Sequence, residues 1–258
     1  MPSIPELPVA YDLVTLDRTD SVVDEARRRA ALGADEGLLI WAGEQTAAQD
    51  HRGRAWPSPA GNLHCAILLR PDYPVRVGAQ LAFVSAVGAG AAIAEVAPPM
   101  TDLKYRWPNE VLVNGATTAL VRLAWDAGDP PVWLVVALYV NVTHYPDAAG
   151  LAATSLRAEA IDEATDATLL QAYARHFLAW INRWGDDGFG PIRKAWLQRA
   201  DGLTRPIRVE LASGVLEGRF LDVDPGGSLV IEQRTGSQRL VPIAEAFQRR
   251  TDAPPVGQ

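Results

Sequence analysis

Apolar residues recur at helical spacing from Asp20 to Leu32, with Arg27, Arg28 and Arg29 on the intervening face; a helix is predicted there, stopped by Gly33. The continuous apolar run 37–42 predicts a buried strand, and 43–59 is polar and rich in turn residues. Loops of that length in a compact domain are usually functional or disordered. A second buried strand is expected over 62–69, then an Ala- and Gly-rich helix over 77–96. Gly88-Ala89-Gly90 lies inside that helical pattern and not at a strand-to-helix turn, so it reads as close packing on a sheet and not as a nucleotide loop. Strands are predicted over 105–107, 110–113, 118–126 and 132–142, with a hairpin turning at Asn114-Gly115. Helices follow over 161–165, running on into 169–184, and over 191–199. This mixed order is that of an α+β sheet.

After Gly202 the texture changes to short alternating segments over 207–211, 214–223, 228–232 and 238–241, separated by Ala-Ser-Gly, Asp-Pro-Gly-Gly and Thr-Gly turns. They predict a small β-barrel. The expected organisation is a core domain over 1–201, a barrel over 202–251 and a disordered tail over 252–258.

Of the 258 residues 48% are hydrophobic and 21% charged, an ordinary globular composition. No uninterrupted apolar run approaches the roughly 18–20 residues of a membrane span, so no membrane partner is expected. The N-terminal residues carry neither a basic start nor an apolar stretch, which points to a cytoplasmic address. The single cysteine, Cys65, sits in an apolar strand and reads as a small buried residue; one cysteine makes no disulfide framework and no cysteine-based zinc site. His51, His64, His144 and His176 show no metal-ligand spacing, and Asn141-Val142-Thr143 reads as an incidental sequon. A formal net charge of -7 without a basic run argues against a nucleic-acid surface.

The most informative stretch is Tyr105-Arg106-Trp107-Pro108-Asn109-Glu110, followed by Val111-Leu112-Val113 and the Asn114-Gly115 turn. It resembles the Lys-Trp-Pro-Asn-Asp motif of the biotin–protein ligases and related lipoate/octanoate transferases. Asp20-Ser21-Val22-Val23-Asp24-Glu25-Ala26 looks like that family's signature at its first helix, and Glu44-Gln45-Thr46-Ala47 with Arg52-Gly53-Arg54-Ala55-Trp56 is similar to its adenylate loop. Val136-Ala137-Leu138-Tyr139-Val140-Asn141 resembles its Gly-x-Gly-x-Asn strand, and Ala153-Thr154-Ser155-Leu156 the segment after it. The motifs fall in the family's order. The resemblance implies a class II synthetase-like ligase core with a C-terminal SH3-like barrel. It also implies ATP and Mg2+, a small carboxylic acid, a carrier-protein domain as acceptor, and a homodimer formed through a sheet edge. No winged helix precedes the core, so the repressor type is not expected.

Carried over residue by residue, the resemblance assigns Arg52, Arg54, Asn109 and Glu110 to catalysis, with Glu110 as the Mg2+ carboxylate. It assigns Ser21, Gln45, Trp56, Trp107, Tyr139 and Asn141 to the ligand. Core packing is the competing reading for Trp41 and Trp56, and shaping of the sheet entry for Trp107-Pro108-Asn109. Acyl-adenylate chemistry brings two anions together and needs cations around them. Here Gln49 and His51 stand where the family has arginines, Asp50 stands at a glycine, and Thr117 replaces the family's lysine. Asp50 is expected to oppose a nucleotide unless it faces solvent. Arg122 is expected, by strand alternation, to point away from the site as a solvated residue. Leu120, Ala137 and Tyr139 occupy family glycines, and filling close-packed floor positions makes biotin a poor fit. Three readings follow: an adenylate-forming ligase for biotin or, better suited to this floor, another acid; a non-catalytic descendant that binds a ligand or partner; and ATP-independent transfer from an acyl carrier, which the strand position of Cys65, the only thiol, argues against.

Overall fold

The computed structural model describes residues 5–147 and 152–247, so the expected tail over 252–258 and the last residues of the expected barrel domain lie outside the described residues. A seven-stranded sheet carries the strands β1 (Asp12–Thr19), β2 (Leu38–Gln45), β3 (Leu63–Leu69), β4 (Leu103–Arg106), β5 (Glu110–Val113), β6 (Ala116–Trp125) and β7 (Leu134–Val140) in the spatial order β1-β2-β3-β7-β6-β5-β4. All pairs are antiparallel except β1 with β2. The helices are α1 (Val22–Ala31), α2 (Val75–Gly78), α3 (Leu81–Val96), α4 (Asp166–Asp187), α5 (Gly190–Leu197) and α6 (Ile243–Ala246). A second sheet of β8 (Pro206–Leu211), β9 (Gly214–Val223), β10 (Leu229–Glu232) and β11 (Gln238–Val241) is antiparallel throughout, in the order β11-β10-β9-β8. The architecture is the expected α+β core followed by a small C-terminal antiparallel sheet.

The large sheet is covered on both faces, which is why β3, β5 and β7 are buried along their whole length. On one face α3, α4 and α5 build the larger core, which includes Leu63, Val121, Leu138 and Trp196. The stretch Val75–Val96 is long and apolar enough to cross a membrane, a property missed by counting uninterrupted runs, and 83% of its most apolar window is buried within the protein. Of the glycines inside α3, Gly90 packs on the sheet as expected, against Tyr105 of β4, whereas Gly88 packs against helix α4. A Cβ at Gly88 would meet the Phe177 backbone nitrogen at 3.3 Å, and one at Gly90 would collide with the Tyr105 ring. The contact at Gly88 is tight, and at Gly90 a side chain could enter only if the Tyr105 ring moved.

On the opposite face α1 lays Val22, Val23, Ala26 and Ala30 over Ile40, Ala66, Leu120, Ala137 and Tyr139. This face holds the candidate site. Ser21 caps α1, its Oγ accepting from the Val23 backbone at 3.2 Å, and Gly33 with a φ of 88° follows the helix end.

Three expectations are corrected. A strand, β1, precedes α1 where none was expected; it lies at the sheet edge and is half exposed, so its apolar alternation is weak. Residues 161–165 form turns, and α4 starts at Asp166 because Thr165 and Thr168 make a reciprocal cap. The strand expected over 105–107 is Leu103–Arg106, and Trp107 falls in the turn that follows.

Candidate functional site

The floor of the site is set by register. Tyr139 on β7 stands opposite Leu120 on β6 and His64 on β3. Each side chain is at most 2% exposed. Ala137 continues the floor on β7, and Trp56 and Ala48 from the loop after β2 close over it. The Tyr139 hydroxyl lies near Ser21 and Arg122 without completing a hydrogen bond, and burial pushes its pKa up to about 12. His64 Nδ1 has no partner either, and burial holds this ring neutral, its pKa pushed down to about 4.

Thr117, Leu120 and Arg122 share this floor, and the reason corrects the expectation for Arg122. Five positions separate Thr117 from Arg122, so strict alternation would put them on opposite faces. The pairing of β5 with β6 runs Val111 to Ala119 and then Leu112 to Thr117, which leaves Thr118 as an extra residue. This bulge resets the alternation. Arg122, two residues after Leu120 and opposite Ala137, lies on that same face and is only 6% exposed, and its Nη1 donates to the carbonyls of Gln49 and Asp50.

The loop after β2 is an organised hairpin. Gln49 pairs with Ala55, and the Asp50 backbone N–H donates to the Arg54 carbonyl at 2.8 Å. Asp50 faces neither solvent nor the floor. Its buried carboxylate accepts from the backbone nitrogens of Arg52 at 2.8 Å and Arg54 at 3.0 Å and from Arg54 Nε at 2.8 Å, so its pKa is held down although desolvation opposes ionisation. Arg52 Nη1 pairs with Glu210 of β8 at 2.6 Å. His51 is buried between Asn109 and Phe247, and burial, then the Arg52 charge, push its pKa down to about 3. Both its ring nitrogens meet donors, Asn109 Nδ2 at 3.1 Å and Arg52 Nε at 3.2 Å. A neutral imidazole accepts at only one nitrogen, so one of the two donors goes unanswered.

The other expected residues fall into two groups. Gln45 and Ser21 spend their polar atoms on the protein: Gln45 Oε1 accepts from the Val22 backbone at 2.8 Å, its Nε2 donates to Ser58, and Ser21 caps α1. Trp107 belongs to the core on the far face of the sheet, so the structure does not bring it to the floor. Around β6, Asn109 Nδ2 donates to the Val121 carbonyl at 2.6 Å, and Asn141 Nδ2 to the Thr154 carbonyl at 3.1 Å; the amide oxygens of both are buried without a partner. Glu110 Oε2 accepts from Thr117 Oγ1 at 2.6 Å and from Arg106 Nη1 at 3.2 Å. Beside the floor a cavity of about 490 Å³ is lined by Arg27, Arg122, His51, Trp133 and Phe247, with the Arg27 guanidinium 5.9 Å over the Trp133 ring.

The sequence model of the biotin/lipoate A/B protein ligase family matches residues 7–198. The chain belongs to this family. It is 35% identical over 238 residues to a biotin–[acetyl-CoA-carboxylase] ligase of Paracoccus denitrificans, covering 90% of this chain and 98% of that one. It is 30% identical to the bifunctional ligase/repressor BirA of Bacillus subtilis over 88% of this chain and 71% of the relative. Among solved structures, a biotin protein ligase-like protein of unknown function from Silicibacter superposes with a TM-score of 0.79 at 26% identity, covering 94% of this chain and 98% of that one. The biotin protein ligase of Aquifex aeolicus in complex with biotin and ATP shares the fold, with a TM-score of 0.74 at 20% identity over 91% and 97%.

The family's groups can be tested against the residues present. On the floor between β6 and β7, two buried side chains, Leu120 and Tyr139, stand where the resemblance gives the family glycines. For a nucleotide phosphate, Arg52 is paired with Glu210, Arg54 with Asp50, and a threonine stands at the lysine position. For Mg2+, Glu110 offers one carboxylate whose Oε2 already serves a guanidinium and a hydroxyl, and no cluster of three or more His, Cys, Asp or Glu residues is found among the described residues. A hard cation wants several oxygens without a competing positive charge. The residues present therefore do not fit Mg2+, whereas for a phosphate the cations lining the cavity are Arg27 and Arg122. Sequence reasoning missed Glu210 and Phe247, which are distant in the chain and lie in no motif, and it missed the inward turn of Arg122.

Proposed function

We propose that this member of the biotin/lipoate ligase family acts by binding a small ligand or a carrier-domain partner, and that it does not ligate biotin. The observation that carries the reading is the packing of Tyr139 against Leu120 on the floor, both buried. A filled interior position does not empty cheaply, because interiors are close-packed. Two of the arginines that the resemblance assigns to catalysis, Arg52 and Arg54, are paired with Glu210 and Asp50, which supports the same reading. The unpartnered amide oxygens of Asn109 and Asn141 give a ligand carrying N–H or O–H donors a reason to bind on this face.

A second reading, ATP-dependent ligation of biotin or another carboxylic acid to a carrier-protein lysine, is favoured by the 35% identity to a named biotin ligase. It is supported also by the retained Asn109, Asn141 and Trp56. The experiment that separates the two is acyl-adenylate formation. Purified protein is given α-labelled ATP, Mg2+ and, separately, biotin, lipoate, octanoate and a pool of short acids. The first reading expects no labelled adenylate and no heat of biotin binding; a labelled adenylate with any acid would overturn it.

A further inference from the structure

We propose that the C-terminal sheet clasps the loop 46–58 shut over the ligand face, so that entry to the floor requires the loop to leave that sheet. This goes beyond the proposed function and does not depend on which ligand binds.

The loop is fastened at both of its sides. Toward the large sheet, Arg122 holds the carbonyls of Gln49 and Asp50, and Asn109 holds His51. Toward the C-terminal part of the chain, Arg52 meets Glu210 of β8 at 2.6 Å, and the His51 ring sits edge-on to Phe247 with centroids 6.1 Å apart. Asp50 stiffens the hairpin by tying the Arg52 and Arg54 backbones. Under this hairpin lie Ala48 and Trp56, 4% and 5% exposed, packed in the same cluster as Leu120 and Tyr139. Lifting the hairpin would therefore uncover the floor.

The two fastenings differ in kind. The contacts on the large-sheet side are buried in the same domain as the floor, whereas Glu210 and Phe247 belong to the other sheet and the helix end after it. The Arg52 and Glu210 side chains are 26% and 39% exposed, so water and salt reach this pair. Loops that open do so through their least buried contacts. The Arg52–Glu210 pair is thus the contact that yields first, and the contact of His51 with Phe247, both buried, follows it.

The test is amide hydrogen exchange on the full chain at pH 7, following the amides of Asp50, Gly53, Arg54 and Trp56, each of which donates within the loop. The wild-type amides are expected to be protected. Glu210→Gln and Phe247→Ala are each expected to raise their exchange about tenfold, with amides in β3 and β7 changing less than about twofold. The charge swap Arg52→Glu with Glu210→Arg is expected to return the loop to within about threefold of wild type. Unprotected wild-type loop amides, no change in either single variant, or a uniform rise that includes β3 and β7 would each overturn the clasp.

Discussion

Arg122 of β6 reaches out of the sheet to hold the carbonyl of Asp50, while the Asp50 carboxylate turns back to tie its own loop. A strand residue and a loop residue, 72 positions apart, thus fix the same hairpin from two directions. The arrangement makes Asp50 a structural residue in a place where the ligase family has glycine.

Asp50→Ala is expected to destabilise the protein by about 2 kcal/mol, roughly one for each backbone N–H left unpaired. The Arg54 contact adds little, because that guanidinium is more than half exposed. Asp50→Asn keeps an acceptor and should lose about half as much. Urea unfolding of the three proteins checks this, and equal stabilities for wild type and Asp50→Ala would refute the role assigned to the carboxylate.

Opening the floor should admit biotin. Tyr139→Gly combined with Leu120→Gly is expected to cost several kcal/mol of stability, about 3–5 for the aromatic ring alone. In this variant saturating biotin should raise the melting temperature, and in wild type it should not. Tyr139→Phe removes only a hydroxyl without a partner and should leave stability within about 1 kcal/mol of wild type. A biotin-dependent shift in the wild-type protein would show that the ring is no barrier.

Thr117→Lys alone is expected to give no biotinyl-adenylate. The new amine would meet Glu110, the present partner of Thr117, and the acyl floor would stay closed. Labelled ATP with Mg2+ and biotin is the assay. Adenylate from this single variant would mean that charge, and not volume, is what stops biotin chemistry here.

Stability should fall on the acid side earlier than carboxylates alone would make it. His51 has its pKa pushed down to about 3 and His64 to about 4, against an ordinary histidine near 6.5. Above about pH 7 both rings are neutral folded or unfolded, and neither makes stability depend on pH. As pH falls below about 6.5 the unfolded chain takes up protons that the folded chain does not, and stability declines until the folded rings also protonate. Asp50 acts in the same direction at lower pH, since its depressed pKa gives stability that is present above the unfolded value near 3.9 and lost below it. His51→Gln should therefore lose less stability than wild type between pH 7 and pH 4.5. Parallel urea curves for the two proteins would contradict a buried neutral His51.

Much of the fold was legible because it rests on short-range rules. The helix at Asp20 to Leu32, the buried strands, the Asn114-Gly115 hairpin and the turn-separated strands after Gly202 each follow from apolar period and turn chemistry. The order of motifs reached the family as well. The edge strand β1 was not legible, since a half-exposed parallel strand leaves little alternation to read.

Which side chains replace the family's glycines and lysine can be read along the chain: Leu120, Ala137, Tyr139, Asp50 and Thr117. What those replacements do depends on neighbours that folding brings to them. Whether Thr117 shares a face with Leu120 and Arg122 depends on one bulged residue, Thr118, because a single extra residue in a strand turns every later side chain to the other face. Whether Arg52 is available to a ligand depends on Glu210, 158 positions away, and charge pairing follows distance in space and not separation along the chain.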